Sequence, residues 1–363
     1  MDLLSVRDEK NQRYIFIDIL KGIGSLAVVM GHCWPLVIPY VYDFHLALFF
    51  WIAGYLYNEK KYNNNPFLYM GHKIERLWPK YVFYLCVIIL SRNILSDYGV
   101  YDVIEYYSYS RMLESMLYSI IFMNQAGRMA GALWFVSTLI LSTAFFAGII
   151  YISKITHKII RGVIKETFIL LAIIMVAGVM GVVICNHGIK ITYHMEVALA
   201  ILPIMFVGYL ARTKRIDINR YLNVFVAILA CGVLHYIKTE YGVIDLSASR
   251  VYSVFCLYAG AFSGIYVCFY LAKIVMRSKI ISKIMKAIGK YSFEIMALHF
   301  IIFKLFDVVF GKINNIPKTQ YSRCPYAFDS LYYIYIILGV GVPVLVGYIW
   351  ERLKARLIFY NFN

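Results

Sequence analysis

Ten stretches of mostly apolar residues constrain the fold of this chain more than any other feature of its sequence. They lie at 14–35, 42–58, 78–95, 132–153, 166–186, 193–211, 221–237, 250–272, 288–310 and 330–351. A helix needs about 20 mostly apolar residues to cross the hydrocarbon core of a bilayer. The sequence therefore predicts an all-α fold, a polytopic integral membrane bundle of about ten transmembrane helices.

The composition excludes a water-soluble fold. Hydrophobic residues make up 61% of the 363 residues and charged residues only 15%, whereas soluble domains have roughly 45–50% and about 25%. No nucleic-acid-binding motif accompanies the net charge of +16, so we expect the lipid bilayer as a partner and no nucleic acid. The seven cysteines form no CxxC pair, and we expect neither a disulfide framework nor a metal site.

The positive charges predict the topology. The 36 Lys and Arg residues are concentrated in alternate connectors between the apolar stretches, and cytoplasmic connectors carry such an excess. This alternation predicts ten spans with both termini in the cytoplasm: a tail at 1–13, a single membrane domain at 14–356 and a tail at 357–363. The first tail is polar and resembles no cleavable leader, so we expect the first span to be retained.

Ionisable residues within spans are costly and usually mark a functional path or an internal ion pair. The first span contains Asp18, Lys21 and His32. Lys21 and His32 lie close to three full turns apart, so they share one helix face at a distance of about 16 Å along the axis. Asp18 lies near the same stripe. An ion pair of Asp18 with Lys21 that only anchors the helix is the structural alternative.

Further ionisable residues lie in the second and ninth spans. His45 opens the second span near His32, and Glu294 and His299 lie in the ninth. The structural alternative for His45 is a histidine at the membrane interface, and that for His299 is a buried ring bonded to a neighbouring helix. Lys304 and Asp307, three residues apart in the ninth span, predict a simple ion pair.

Two basic residues precede the third span. Lys73 and Arg76 lie just before Trp78-Pro79, which predicts the start of the third helix because Pro is favoured at the first helical position. Their structural alternative is that they anchor the cytoplasmic end of the span.

Four landmarks, in this order, resemble those of the acyltransferase-3 superfamily, the polytopic membrane O-acyltransferases of surface polysaccharides and related glycans. The first is the spacing from Lys21 to His32. The second is the segment 44–54, which begins with Phe-His and continues through aromatic residues to a glycine. Within it, Ala47 and Ala53 stand where the family usually has Pro and Ser.

The third landmark is the pair Lys73 and Arg76, which resembles the basic-x-x-Arg motif of the third helix. The fourth combines Trp134 with the segment 291–299. The resemblance covers essentially the whole chain, and its specificity comes from the order and spacing of all four landmarks together.

The resemblance implies an O-acyltransferase that moves an acyl group, usually acetyl, from cytoplasmic acyl-CoA to a hydroxyl of a cell-surface or exported glycan. It implies acetyl-CoA or another acyl-CoA as donor substrate, a glycan or lipid-linked sugar as acceptor, a bacterial inner membrane as location, and no metal. The implied catalytic residues are His32, Lys21 and Asp18, and the implied acyl-CoA-binding residues are Lys73 and Arg76. The implied acceptor-side or supporting residues are His45, Trp134, Glu294 and His299.

The chemistry of these residue types agrees with that function. Acyl-CoA is polyanionic, and Lys73, Arg76 and Lys21 supply cations for it. Transfer to a hydroxyl needs a base, or a nucleophile that holds the acyl group briefly, and His32 can serve in either role.

A secondary transporter or flippase for a glycan or small polar solute is the main alternative. It also predicts many spans, charges within them and a basic cytoplasmic face. Against it, the sequence contains no paired halves and no broken helices in matching positions. A receptor has less support because no soluble input or output domain accompanies the spans.

Overall fold

The computed structural model describes residues 3–101, 106–123, 127–162 and 164–360. The described residues are 81% helical and form no strand. The all-α prediction is therefore confirmed. The tail predicted at 1–13 overlaps the first helix, and its side chains, like those of the tail predicted at 357–363, lie outside the described residues.

The α-helices of the described residues run in the following order. They are α1 (Leu3–Cys33), α2 (Ile38–Val41), α3 (His45–Leu56), α4 (Pro66–Leu90), α5 (Arg92–Asp97), α6 (Tyr109–Phe122), α7 (Trp134–Ile159), α8 (Glu166–Asn186), α9 (Met195–Ala200), α10 (Leu202–Thr213), α11 (Val224–Glu240), α12 (Val254–Val275), α13 (Lys279–Lys290), α14 (Ser292–Ile313), α15 (Lys318–Tyr321) and α16 (Tyr332–Tyr360). Each of the ten predicted apolar stretches overlaps at least one of these helices.

Among the described residues, five helical segments are long and apolar enough to cross a membrane. They are Tyr14–Cys33, Arg128–Ile159, Glu166–Asn186, Val254–Val275 and Asp329–Arg356. A pair bent by 55°, Thr192–Ala200 with Leu202–Thr213, meets the same criterion when taken together. These segments make the chain a multi-pass membrane protein. The number of ten spans and the cytoplasmic position of both termini stay predictions.

Helix α4 begins twelve residues earlier than Trp78-Pro79 predicts. The side chain of Asn65 accepts hydrogen bonds from the backbone N–H groups of Phe67, at 2.9 Å, and Leu68, at 3.3 Å. This cap, with Pro66 in the first turn, is a stronger start signal, and Pro79 lies inside the helix. The earlier start places the whole segment 66–90 on one helix, including the basic residues that precede Pro79.

Two glycines bring α13 against the first half of α1. A Cβ atom at Gly22 would overlap the carbonyl oxygen of Met285, and one at Gly289 would overlap that of Asp18. Only glycine permits backbones to approach this closely. The crossing holds α13 beside the part of α1 that carries Asp18 and Lys21.

A similar crossing holds α3 against α10. A Cβ atom at Gly54 would overlap the carbonyl oxygen of Met205, and one at Gly208 would overlap that of Trp51. Because α3 begins at His45, this contact fixes the helix that presents that histidine.

Candidate active site

A cavity of about 880 Å³ lies among α1, α3, α4, α7, α13 and α14. This volume is within the range of about 300–1,000 Å³ that small-molecule sites occupy. Lys21 and His32 both line it, and their spacing on α1 separates them by about 16 Å along the helix axis. We name its two regions the cationic end, around Lys21, and the histidine end, around His32.

The cationic end combines basic side chains of α1 and α4. Lys21 Nζ donates a hydrogen bond to Asp18 Oδ1 at 3.0 Å, which is the pair that their spacing predicts. Lys73 is half-buried and close enough to Arg76 and Lys21 for their positive charges to interact. All four residues line the cavity. A bound polyanion would relieve the repulsion among these three like charges.

Glu294 lies next to the cationic end. Its Oε1 atom accepts a hydrogen bond at 2.8 Å from Lys80, which lines the cavity one helical turn after Arg76. Glu294 is buried, it does not line the cavity, and its Oε2 atom has no hydrogen-bond partner among the described residues. Glu294 therefore contacts a lysine of the cationic end and not the histidine end.

The histidine end brings together histidines from three helices. The ring of His32, on α1, lies over that of His299, on α14, with centroids 5.2 Å apart. Tyr42 contacts both His32 and His45, with ring centroids at 5.8 Å and 5.0 Å respectively. His32, Tyr42 and His45 line the cavity, whereas His299 is fully buried behind its wall.

Hydrogen bonds fix the protons on two of these histidines. Nδ1 of His45 lies 2.7 Å from the carbonyl oxygen of Val41, and Nδ1 of His299 lies 2.8 Å from that of Ile295. Because a carbonyl oxygen only accepts, each Nδ1 carries the proton. Nε2 of each neutral ring is therefore a free acceptor, and that of His299 has no partner among the described residues.

Tyr42 is the hydrogen-bond partner of His32, and unlike a carbonyl oxygen its hydroxyl can either donate or accept. Its hydroxyl lies 3.2 Å from Nδ1 of His32. If Nδ1 donates to the hydroxyl, Nε2 is unprotonated and can act as a base or nucleophile; if the hydroxyl donates, Nε2 carries the proton. Nothing in the spacing of the sequence indicates this contact, since Tyr42 lies in the loop before α3.

Asp245 is a second residue of the histidine end that the sequence does not reveal. It lies in the loop between α11 and α12 and lines the cavity. Its Oδ1 atom accepts from Ser247 N at 2.9 Å and Ser247 Oγ at 2.6 Å, and its backbone pairs with Arg250. The Asp-x-Ser pattern predicts this turn, but it does not indicate that the turn reaches the histidines.

Trp134 forms another part of the wall. It is the first residue of α7, it is buried, and it lines the cavity. The ring of His194 packs on it with centroids 4.8 Å apart. The buried carboxylate of Glu196 lies 3.7 Å from His194 and accepts a hydrogen bond at 2.7 Å from Ser249. Glu196 thus links the wall at Trp134 to the loop that contains Asp245.

The ion pair predicted between Lys304 and Asp307 is confirmed, at 2.9 Å and with both side chains fully buried. Lys304 Nζ also donates to the carbonyl oxygens of Tyr321 at 2.6 Å and Arg323 at 2.8 Å. These bonds hold the segment that follows α15, in which Cys324 lines the cavity.

The structure thus gathers most of the residues singled out in the sequence around one cavity. Those that line it are Asp18, Lys21, His32, His45, Lys73, Arg76 and Trp134. Glu294 and His299 lie outside the lining and contact residues that belong to it. Among the described residues, no group of three or more His, Cys, Asp or Glu side chains has the arrangement of a metal site.

Comparison with known families agrees with this arrangement. The acyltransferase domain family matches residues 14–351, nearly the whole chain. Neither the curated proteins nor the solved structures give a match. The family match confirms the resemblance that the four landmarks carry: this chain belongs to the acyltransferase-3 family of membrane acyltransferases.

Proposed function

We propose that this protein transfers an acetyl group from cytoplasmic acetyl-CoA to a hydroxyl of a cell-surface or exported glycan. The observation that carries the proposal is the single cavity that joins the cationic end to the histidine end. Donor phosphates and the reacting thioester are far apart in acyl-CoA, and a site for this donor needs cations and a proton-accepting group at a similar separation.

The donor binds with its phosphates at Lys73 and Arg76. Arginine offers a planar, bidentate fork for phosphate oxygens, and lysine adds a point charge. The pantetheine arm then follows the cavity along α1. Ser25 and Val28 line the cavity between Lys21 and His32, and these short side chains leave room for the arm.

His32 carries out the transfer at the far end of the arm by one of two routes. In the direct route, the acceptor oxygen attacks the thioester carbonyl carbon, its proton passes to His32, and the C–S bond breaks; His32 then gives that proton to the CoA thiolate. In the other route, Nε2 of His32 attacks the thioester carbon and CoA leaves as the thiolate. The acceptor hydroxyl then attacks the acyl carbon, the bond to Nε2 breaks, and the hydroxyl proton passes to the thiolate. Both routes return His32 to its starting state.

The acceptor binds at the histidine end, between His45, Trp134 and Asp245. A carboxylate and imidazole nitrogens match the hydroxyl groups of a sugar as hydrogen-bonding partners, and an indole provides an apolar face. This end faces the outer side of a bacterial inner membrane in the ten-span topology, so it fits a glycan or lipid-linked sugar that is exported.

Acetyl transfer by the purified protein tests the proposal. The protein in detergent or nanodiscs is given acetyl-CoA with a crude lipid-linked or polysaccharide acceptor, and thiol release and acceptor acetylation are measured. We expect both with the wild type and neither with His32→Ala. His187→Ala is the matched control, since His187 is exposed at the end of α8 and away from the cavity.

A transporter or flippase would release no thiol and acetylate nothing in this assay. Comparison of the acetyl content of surface polysaccharide in cells with and without the gene tests the acceptor class. Equal acetyl content in the two strains would contradict the glycan assignment, even if the purified protein cleaved acetyl-CoA.

A further inference from the structure

Most lysines at the cationic end already have an acidic partner. Lys21 pairs with Asp18 at 3.0 Å, and Lys80 pairs with Glu294 at 2.8 Å. Lys290, on α13, pairs with Glu351 at 2.6 Å. Their charges are thus largely neutralised within the protein, and they contribute less attraction to an anionic ligand.

Lys286 differs from these lysines. It lines the cavity from α13 and is half-buried. Of the carboxylates in the part of the chain that the structure describes, none lies within salt-bridge distance of it; the same holds for Lys73 and Arg76. A cavity-lining lysine without an acidic partner keeps its charge available for an anionic ligand.

The packing of α13 holds this lysine in place. The close backbone contacts at Gly22 and Gly289 hold α13 against α1. The carbonyl group of Met285 faces Gly22, and Met285 is adjacent to Lys286 in sequence. This crossing holds the neighbouring residue Lys286 beside the part of α1 that carries Lys21. It therefore places a cation of α13 in the cavity wall, in addition to Lys73 and Arg76 from α4.

We infer that Lys286 is a further phosphate-binding residue of this protein and that it binds a phosphate group of the donor from α13, in addition to Lys73 and Arg76 on α4. The inference rests on the proposed function, because it takes the donor to be acyl-CoA. CoA carries a diphosphate and a separate ribose 3′-phosphate, so cations on two different helices match its two phosphate positions. Lys286 is the cation of α13 that remains available for one of them.

Lys283 provides a matched control on the same helix. It is one turn earlier and exposed, and it does not line the cavity. Lys283→Ala removes the same charge from the same helix with little change in packing. A general loss of positive surface potential would weaken anion binding equally in both variants, whereas direct phosphate binding weakens it only in Lys286→Ala.

Binding of three ligands to the purified full-length protein tests the inference. The ligands are acetyl-CoA, its 3′-dephospho derivative and S-acetylpantetheine, titrated calorimetrically into wild type, Lys286→Ala, Lys286→Arg and Lys283→Ala. We expect Lys286→Ala to bind acetyl-CoA about tenfold more weakly, because a charge-assisted hydrogen bond is lost. Its affinity for S-acetylpantetheine, which lacks both phosphate positions, should equal that of the wild type.

The charge-preserving variant and the second ligand extend the test. Lys286→Arg should keep acetyl-CoA affinity within about threefold of the wild type, because it keeps the cation. If the effect of Lys286→Ala disappears with the dephospho derivative, Lys286 binds the 3′-phosphate; if it persists, Lys286 binds the diphosphate. Either result supports a phosphate contact.

Other outcomes separate this inference from the proposed function. A wild type that binds acetyl-CoA no better than S-acetylpantetheine would overturn the donor assignment itself. A wild type that prefers acetyl-CoA, together with Lys286→Ala of unchanged affinity or Lys283→Ala of equally reduced affinity, would overturn the role of Lys286 and leave the proposed function intact. Matching gel-filtration profiles and melting temperatures show that each variant is folded.

Discussion

The imidazole rings of His32 and His299 lie one over the other, with centroids 5.2 Å apart and planes inclined by 26°. The two residues come from α1 and α14, so this contact joins the beginning of the chain to its ninth predicted span. Two positively charged rings at this distance would repel each other, so the contact disfavours a state in which both imidazoles are doubly protonated. Because Nδ1–H of His299 donates to the carbonyl oxygen of Ile295, the ring of His299 has a fixed orientation. The ring of His32 packs against it.

His32→Ala should abolish acyl transfer and leave protein level and acyl-CoA binding largely unchanged, because the donor phosphates bind at the other end of the cavity. His45→Ala should cost less, since His45 positions the acceptor in the proposed site. Single-turnover transfer and donor binding, measured on the same preparations, check both variants. Transfer by His32→Ala at a near-wild-type rate would move the chemistry to His45 or His299.

Tyr42→Phe should lower the rate of transfer about tenfold, the equivalent of one net hydrogen bond, and leave the KM for acyl-CoA unchanged. The substitution removes only the hydroxyl that lies 3.2 Å from Nδ1 of His32, so His32 loses its hydrogen-bond partner at that nitrogen. Measurements of kcat and KM for both substrates test this expectation. The pH profile of kcat should also change, because the protonation of His32 no longer depends on Tyr42.

Tyr40→Phe is the control for this prediction. The hydroxyl of Tyr40 makes a bond of the same length, 3.2 Å, to Nδ1 of His235, and neither residue lines the cavity. Its kcat should equal that of the wild type. Equal losses in the two variants would mean that Tyr42 acts through general stability and not through His32.

The sequence predicted those site residues whose relation is local. Asp18, Lys21 and His32 lie on one helix, where spacing alone determines which side chains share a face. Lys304 and Asp307 are predictable for the same reason. Lys73, Arg76 and His45, on other helices, stand out by their charge or their place at the end of a span, and the family resemblance assigned their roles and added Trp134.

The contacts of Tyr42, Asp245 and Lys286 could not be predicted in this way. Tyr42 and Asp245 lie in loops, and Lys286 lies on a short helix that reads as a basic cytoplasmic connector. Their positions depend on backbone crossings such as that of Gly22 with α13, and a single sequence contains no measure of which helices cross. The contact of Glu294 with Lys80 could not be predicted for the same reason, because it depends on how α4 packs against α14.

Arg76→Lys should weaken acyl-CoA binding, and Arg76→Ala should weaken it further. Lysine keeps the charge but loses the planar fork that binds two phosphate oxygens at once. We expect the KM for acyl-CoA to rise several-fold in Arg76→Lys and about tenfold or more in Arg76→Ala, with kcat at saturating donor much less affected. Unchanged donor affinity in Arg76→Ala would show that this arginine does not bind the donor and only anchors the cytoplasmic end of the span.

Cysteine labelling tests the ten-span topology. In a background without the seven native cysteines, Glu240→Cys and Gln320→Cys should react with a membrane-impermeant maleimide in intact cells, and Lys158→Cys should react only after lysis. The prediction follows from the positive-inside rule, because Lys158 belongs to a basic connector and the other two sites do not. All three residues are at helix ends or in short helices at the surface. Protection of either of the first two sites would require a different number of spans.

Lys304→Met should destabilise the protein by about 3–5 kcal/mol, the usual cost of removing one member of a buried ion pair. The substitution leaves the carboxylate of Asp307 buried and also frees the carbonyl oxygens of Tyr321 and Arg323. Thermal unfolding in detergent should show a clear drop in Tm. The double variant Lys304→Met/Asp307→Leu should recover part of it, since no buried charge is left unpaired.

Lys312→Met is the matched control for this last experiment. Lys312 lies two turns further along α14 and is exposed, and its Nζ atom lies 5.3 Å from the ring centroid of Tyr98. Its loss should change the free energy of unfolding by no more than about 0.5 kcal/mol. Because Cys324 follows the anchored segment into the cavity wall, Lys304→Met should also weaken acceptor use at temperatures where the protein is still folded. Equal melting temperatures for Lys304→Met and Lys312→Met would show that the buried pair is not what holds this segment.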